Sequence, residues 1–410
     1  MTQMRRIIRF IALMVTITLL ATGCWDREEL NDRAIILSWG VDLLEDDTVL
    51  GTANFVLPKG SKSSGGSKAG GEQGGSNAFM TETAIGKNIS DSGLNMQKKL
   101  SRTIFPGHRR NIFIGEKMAL QGIAGVMDQF SRNPQVRPRA NIFVVKDGTA
   151  QKAMSLAYQL EMNPALAVQK IQEKMGAPIA RSLIDFLIAV NGPGCSVMPT
   201  VHIVQPVKTV QTENKNDSPP KPTLEIAGSA IFDKDLKLKG YLDSEEYWLR
   251  LWITGNLHQK DVTGTLEEAP AENYSLSLAE FKKKIRSDIQ GDRILFNVTL
   301  QGAGTLNENN TTLDLSKSYN VKKVERAMES ILLRRVEEVV AKVQKDYKCD
   351  VFELGETLHR QHPQKWKSIE SEWTELFPKA EIALSVKIDI TNTGNLGKSL
   401  LPVKAGGPEE

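Results

Sequence analysis

The chain has 410 residues, enough for two or three domains, and its 40 % hydrophobic and 25 % charged residues are those of an ordinary globular protein. The formal net charge is +3, from 52 basic against 49 acidic residues, and the three arginines of residues 1–23 account for all of it. The remainder is balanced, which excludes a generally basic nucleic-acid binder and leaves no basic surplus to pull the chain toward a membrane.

Residues 1–27 read MTQMRRIIRFIALMVTITLLATGCWDR. Arg5, Arg6 and Arg9 make a positive n-region, residues 10–20 an apolar h-region, and Ala21-Thr22-Gly23 a small-residue cleavage site. A membrane span needs about 20 apolar residues, so residues 1–23 are expected to be a cleaved signal peptide. The site ends in Cys24, and it resembles the lipobox of bacterial lipoproteins, with Ala21 where leucine is usual three residues before the cysteine and Leu20 one step earlier. On that resemblance Cys24 is the lipidation site. It would carry an S-diacylglycerol and, once cleaved, an amino group open to N-acylation such as palmitoylation. Two acyl chains anchor firmly where one holds marginally.

Beyond Cys24, residues 34–41 read as a buried strand and 49–57 as its antiparallel partner. Residues 59–77, KGSKSSGGSKAGGEQGGSN, cannot offset their ordering entropy and are expected to be a mobile Gly/Ser loop. The pattern then predicts helices over 81–100 and 117–130, strands over 112–114 and 141–145, helices over 150–160, 165–176 and 179–190, and a strand over 197–205. Residues 211–223, QTENKNDSPPKPT, form a linker or long loop. Strands follow at 224–232 and 236–241. Ser244 is expected to cap a helix over 245–254 that turns Tyr247, Trp248, Leu251 and Trp252 to one face.

The elements of 274–289 are ambiguous. Residues 294–300 alternate as a strand, and 307–310 read as a loop. Residues 321–347 carry the longest helical stripe, from Val321 through Met328 and Val336 to Tyr347, expected to dock on a sheet rather than in a coiled coil. A helix pair follows, divided at His362-Pro363, with Trp366, Ile369, Trp373 and Leu376 along the second member. Residues 380–390 alternate as a half-buried strand. The mixture without strict alternation indicates an α+β fold.

The search for chemistry is largely negative. His359 and His362 stand three apart, as a metal site could require, but carboxylates are scarce beside them and Pro363 interrupts the turn, so a surface pair is expected. Gly394-Asn395-Leu396-Gly397-Lys398-Ser399 has two residues between its glycines where a phosphate loop needs four. No nucleophile shows a base, and Glu267-Glu268 alone says nothing. No catalytic residue, cofactor or metal is assigned. Cys195 and Cys349 could pair in an exported protein, but two buried free thiols are the expectation.

Four blocks resemble the Ger(x)C family, the lipoprotein C subunits of spore nutrient-germinant receptors. They are GCWDREELNDRAIILSWGVD; LSRTIFPGHRRNIFIGEKMALQGI, with Arg102, His108, Gly115, Glu116 and Gly122; EIAGSAIFDKDLKLKGYLDSEE; and DVFELGETLHRQHPQKWKSIESEWTELF, with Asp350, Trp366, Trp373 and Phe377. They run in one order from residue 23 to about 394; 59–77 and 211–223 are insertions. The resemblance implies three α+β domains, each a mixed or antiparallel sheet with flanking helices. On this chain they fall at 24–210, 224–275 and 276–396, with a disordered tail at 397–410. It further implies a non-enzymatic germination protein on the outer face of the spore inner membrane, held by lipid, acting with integral membrane A and B subunits and no nucleic acid. The block 102–122 would then line a partner surface, or its glycines would merely shape turns. Two other readings remain: a lipoprotein solute-binding protein that captures a nutrient between two doubly wound lobes, and a cell-wall hydrolase, for which no acid pair or zinc site stands out.

Overall fold

The computed structural model describes residues 2–20, 29–57, 79–156, 161, 163–174, 182–205 and 222–394. Thr2–Leu20 is a helix, α1, that contains the apolar run of residues 10–20. Cys24, the Gly/Ser stretch 59–77, residues 211–221 of the linker and the tail 397–410 lie outside the described residues.

The first sheet has nine strands: β1 (Arg33–Leu43), β2 (Val49–Val56), β3 (Phe79–Gly86), β4 (Thr103–Phe105), β5 (Asn111–Gly115), β6 (Asn141–Lys146), β7 (Ser196–Val204), β8 (Thr223–Phe232) and β9 (Leu238–Leu242). Their order is β3-β2-β1-β5-β6-β7-β8-β9, with β4 beside the start of β1. The four central strands β1, β5, β6 and β7 are mutually parallel, and the flanking pairs are antiparallel. Parallel strands need helical crossovers, which cover both faces and demand apolar residues throughout; all five residues of β5 are buried accordingly. The crossovers are α2 (Ile89–Gln97), α3 (Glu116–Gln121), α4 (Ala124–Arg132), α5 (Ala150–Met154), α6 (Pro164–Lys174) and α7 (Leu183–Val190). One face packs Trp39, Ile112, Met127, Phe130 and Phe186; the other packs Phe113, Phe143, Met154, Val168 and Val201.

Helix α8 (Ser244–Thr254) touches β8 of the first sheet and β11 of the second. The second sheet runs β10 (Lys260–Leu266), β11 (Ala269–Gln290), β12 (Arg293–Asn310), β13 (Glu381–Asn392), antiparallel except for the last pair. The crossover that makes β12 and β13 parallel is α9 (Ser318–Lys342), extended by a π-helical turn Val343–Tyr347, then α10 (Leu354–Gln361), α11 (Pro363–Ile369) and α12 (Trp373–Leu376). The α9 stripe Val324, Met328, Leu332, Val336, Val339 is buried on this sheet, as its spacing requires. From the same helix, Glu329 accepts from the Ile388 amide and Glu325 from Ile390, so two carboxylates satisfy part of the open edge of β13.

The α+β class stands. The expected middle segment 224–275 is divided between the two sheets: β8 and β9 complete the first, and residue 275 falls inside the continuous strand β11. Several local expectations are corrected. Residues 79–86 form a strand, since Thr81, Thr83 and Ile85 are β-branched and the segment pairs along all of β2; the helix begins only at Ile89 behind the Asn88 cap. The helix expected over 117–130 is two helices, because Gly122 takes φ +126°, which no other residue adopts without strain. Asp243, rather than Ser244, caps α8: its carboxylate accepts from Glu245 and Glu246 while Glu246 returns a bond to the Asp243 amide. The ambiguous stretch 274–289 is one strand, and β12 runs on through 307–310.

Candidate functional site

Chemistry does not converge among the described residues. No group of three or more His, Cys, Asp or Glu side chains is placed to hold a metal. His359 stacks on Trp366, with ring centroids 5.8 Å apart, while His362 meets the Ser287 carbonyl at 3.1 Å through Nε2, so the two rings serve different contacts. His202 faces Asp147 and Glu225 at 3.9 and 3.7 Å on an exposed strand end. No helix among the described residues is long and apolar enough to cross a membrane. Cys24, the expected lipidation site, lies outside the described residues, nine positions before β1 begins at Arg33.

What the structure does assemble is a seam between the two sheets. Cys195, at the start of β7, is disulfide-bonded to Cys349, in the loop after α9, with Cα atoms 5.7 Å apart. The expectation of two free thiols is thereby overturned. The 154 residues separating the cysteines concealed that β7 and the α9–α10 loop are neighbours. The Cys195 amide also donates to the Asp350 carbonyl at 3.0 Å. A Cβ on Gly194 would sit 2.2 Å from that carbonyl oxygen, so only glycine permits the approach.

Asp350 is 4 % exposed, and its carboxylate accepts from the amides of Phe352, Leu354 and Gly355 and from the Trp373 indole. Burial pushes its pKa up from the ordinary carboxylate range, and these donors pull it back. Beside it Arg250, 2 % exposed in the middle of α8, donates to the Val351 carbonyl at 2.8 Å and reaches Glu353 at 3.7 Å. Glu353 itself stands at φ +63°. These residues line a cleft of about 670 Å³ together with Tyr247, His258 and Cys195. A second tie runs from Glu116 of α3 to the Tyr241 hydroxyl, and from the Tyr241 carbonyl to the Tyr347 hydroxyl at 2.8 Å. Lys342 adds an ion pair to Glu246 at 2.7 Å.

The block 102–122 is part core and part surface. Residues 111–115 are the buried strand β5, and Arg109 is 4 % exposed, stacked 4.7 Å over the Phe130 ring. Nε and Nη2 of Arg109 have no hydrogen-bond partner among the described residues, and burial pushes its pKa down to about 10. Arg102, Thr103, His108, Arg110, Lys117, Leu120 and Gln121 are its exposed residues. The seam went unread in the sequence because its members are single residues far apart. The lone arginine in the apolar run Trp248–Ile253 was the one local signal.

The geometry therefore defines a two-sheet α+β body tied at a disulfide-clasped seam. Residues 26–203 match the family described as the spore germination protein N-terminal domain, and residues 227–394 match the family described as spore germination B3/GerAC like, C-terminal. Spore germination protein KC of Bacillus subtilis (strain 168) is 24 % identical, over 93 % of this chain and 95 % of that protein. Putative spore germination protein YfkR of the same organism is 27 % identical, over 97 % and 100 %. The crystal structure of the GerBC protein superposes with a TM-score of 0.53 at 18 % identity, covering 86 % of this chain and 97 % of that one, and shares the fold. The chain belongs to the Ger(x)C family of spore germination proteins.

Proposed function

We propose that this chain is the lipid-anchored, non-catalytic C subunit of a spore nutrient-germinant receptor. Cys24 carries the diacylglycerol, and the body stands on the outer face of the spore inner membrane beside integral membrane A and B subunits. The observation that carries this is the placing of Cys24 after an eleven-residue apolar run and three small residues, immediately ahead of a body that matches the family over 26–203 and 227–394. The relatives' names, spore germination proteins KC and B3, support the germination role.

Intact-mass analysis of the mature protein from dormant spores tests the anchor. A diacylglyceryl-modified Cys24 at the amino terminus is expected, with Cys24→Ala lacking the modification and its spores unresponsive to the nutrient. An unmodified amino terminus on a membrane-free protein overturns the proposal. The solute-binding alternative needs two doubly wound lobes, whereas the second sheet is antiparallel apart from one edge pair. Calorimetry with amino acids and sugars is expected to show no heat of binding to the mature chain.

A further inference from the structure

Strands β5 and β6 begin level with each other and with the middle of β1: Ser38 of β1 pairs with Asn111 of β5, which pairs with Asn141 of β6, and β1 extends five residues further, to Arg33. The residues that lead into these strands are basic. Arg110 precedes β5, and Arg137 and Arg139 precede β6; Arg33 opens β1 beside Thr103, next to Arg102. Local bonds hold them in one group. The Arg110 amide donates to the Leu37 carbonyl and the Arg110 carbonyl accepts from Asn141, while Ala140 donates to the Arg137 carbonyl. Arg137 donates to Nδ1 of His108 at 3.3 Å, the His108 ring meets Phe105 at 5.6 Å, and Arg33 lies 4.5 Å over that same Phe105.

Arg102, Arg110, Arg137 and Arg139 are exposed, and none of the four makes an ion pair among the described residues. Acidic residues flank the group: Asp26, Glu28, Glu29 and Asp32 precede Arg33 in the chain, and Asp185 is held by the Ser182 amide and hydroxyl at the start of α7. The excess of cations is local to the two segments that lead into β5 and β6: residues 101–115 and 133–145 carry Arg102, Arg109, Arg110, Arg137 and Arg139 and no acid. The chain also enters the fold at this end. Nine residues separate Cys24 from Arg33, a reach of at most about 32 Å when fully extended.

We propose that this basic end of the first sheet docks on an anionic lipid surface, with Arg110, Arg137 and Arg139 against headgroup phosphates. The inference rests on the lipid-anchor reading for its orientation. A tether that short keeps this end of the body nearer the bilayer than the second sheet, and guanidinium groups match phosphate oxygens in charge and geometry. The anchor supplies the attachment and the arginines supply the orientation. The attraction acts within a Debye length of about 8–10 Å at physiological salt.

The test uses the full chain carrying Cys24→Ala, which cannot be lipidated, in flotation with vesicles of phosphatidylcholine alone or containing one-quarter phosphatidylglycerol. Residues 2–20 contribute the same background to every variant, so differences between variants read the patch. Arg110→Glu/Arg137→Glu/Arg139→Glu is expected to weaken binding to the phosphatidylglycerol vesicles by about tenfold or more. It is expected to leave binding to phosphatidylcholine unchanged, and high salt should erase the difference. Lys282→Glu/Lys284→Glu/Arg286→Glu makes the same change of net charge on exposed positions of β11 and is expected to bind as the parent does. Circular dichroism checks that each variant is folded. A triple arginine variant that floats like its parent, or a β11 variant that loses as much, overturns the proposal. Either result leaves the anchor reading intact, since that is decided by the mass of the native amino terminus.

Discussion

The two sheets bury their residues in different ways. The first covers four parallel central strands on both faces, so its core is split between two apolar layers. The second carries its core on one face of a long antiparallel hairpin, closed by α9 and an aromatic group of Phe296, Trp366, Trp373 and Phe377. A layer divided in two shares any single loss among many neighbours, whereas a one-faced sheet concentrates it. Trp373 is the sharpest place to break that contrast. It is 1 % exposed, packs on Phe296, Trp366 and Phe377, and donates to Asp350. Trp373→Ala is expected to lower stability by about 3–5 kcal/mol in urea unfolding, against about 1 kcal/mol for Phe143→Leu in the first sheet. Equal losses would dissolve the distinction.

The seam decides whether the two regions melt together. Reducing Cys195–Cys349 opens a closed segment of 154 residues, and a loss of about 2–4 kcal/mol is expected. With the clasp intact, unfolding followed at Trp39 in the first sheet and at Trp373 in the second should coincide. After reduction, or in Cys349→Ala, the two transitions should separate. Coincidence in both states would mean that α8 and the Tyr241 contacts couple the sheets unaided.

The same contrast governs how much could be read beforehand. In the second region the signals were long: the α9 stripe spans 25 residues, and the inward residues of β13 alternate from Ile382 to Ile390. In the first region a strand such as β5 is buried at every position, so it carries no period, and β3 mimicked a helix because Ile85 and Ile89 happen to be four apart. The seam needed three-dimensional information, because Cys195, Arg250 and Asp350 are joined by the fold alone. The basic end was hidden differently. Net charge sums over the chain, and a chain with no surplus still gathers Arg102, Arg110, Arg137 and Arg139 at the ends of adjacent strands.

A smaller effect sharpens the account of the seam. Tyr241→Phe removes the hydroxyl that donates to Glu116, and Tyr347→Phe removes the one that donates to the Tyr241 carbonyl. Each is expected to cost about 0.5–1.5 kcal/mol. The two bonds share one residue, so their double variant should fall short of the sum. Strict additivity in a double-mutant cycle would show that the two ties act separately.

The smallest expected effect lies inside the first sheet and reads through pH. Asp42, 3 % exposed at the end of β1, accepts from the amides of Ala150 and Gln151 and so caps α5 from another strand. Burial raises its pKa above the ordinary carboxylate value, against the pull of those two amides. A carboxyl that holds its proton more tightly when folded makes the native state the greater proton binder between its unfolded and folded pKa values. Stability therefore falls as pH rises through that window and is flat above it. Asp350 shares the direction of shift, so Asp42→Asn should remove only part of the slope and Asp42→Asn/Asp350→Asn nearly all of it. Urea midpoints measured from just above pH 4 to pH 7 decide the matter: a slope of the opposite sign would place the two capping bonds above burial, and the first sheet would then owe more to that carboxylate than to the apolar layer around it.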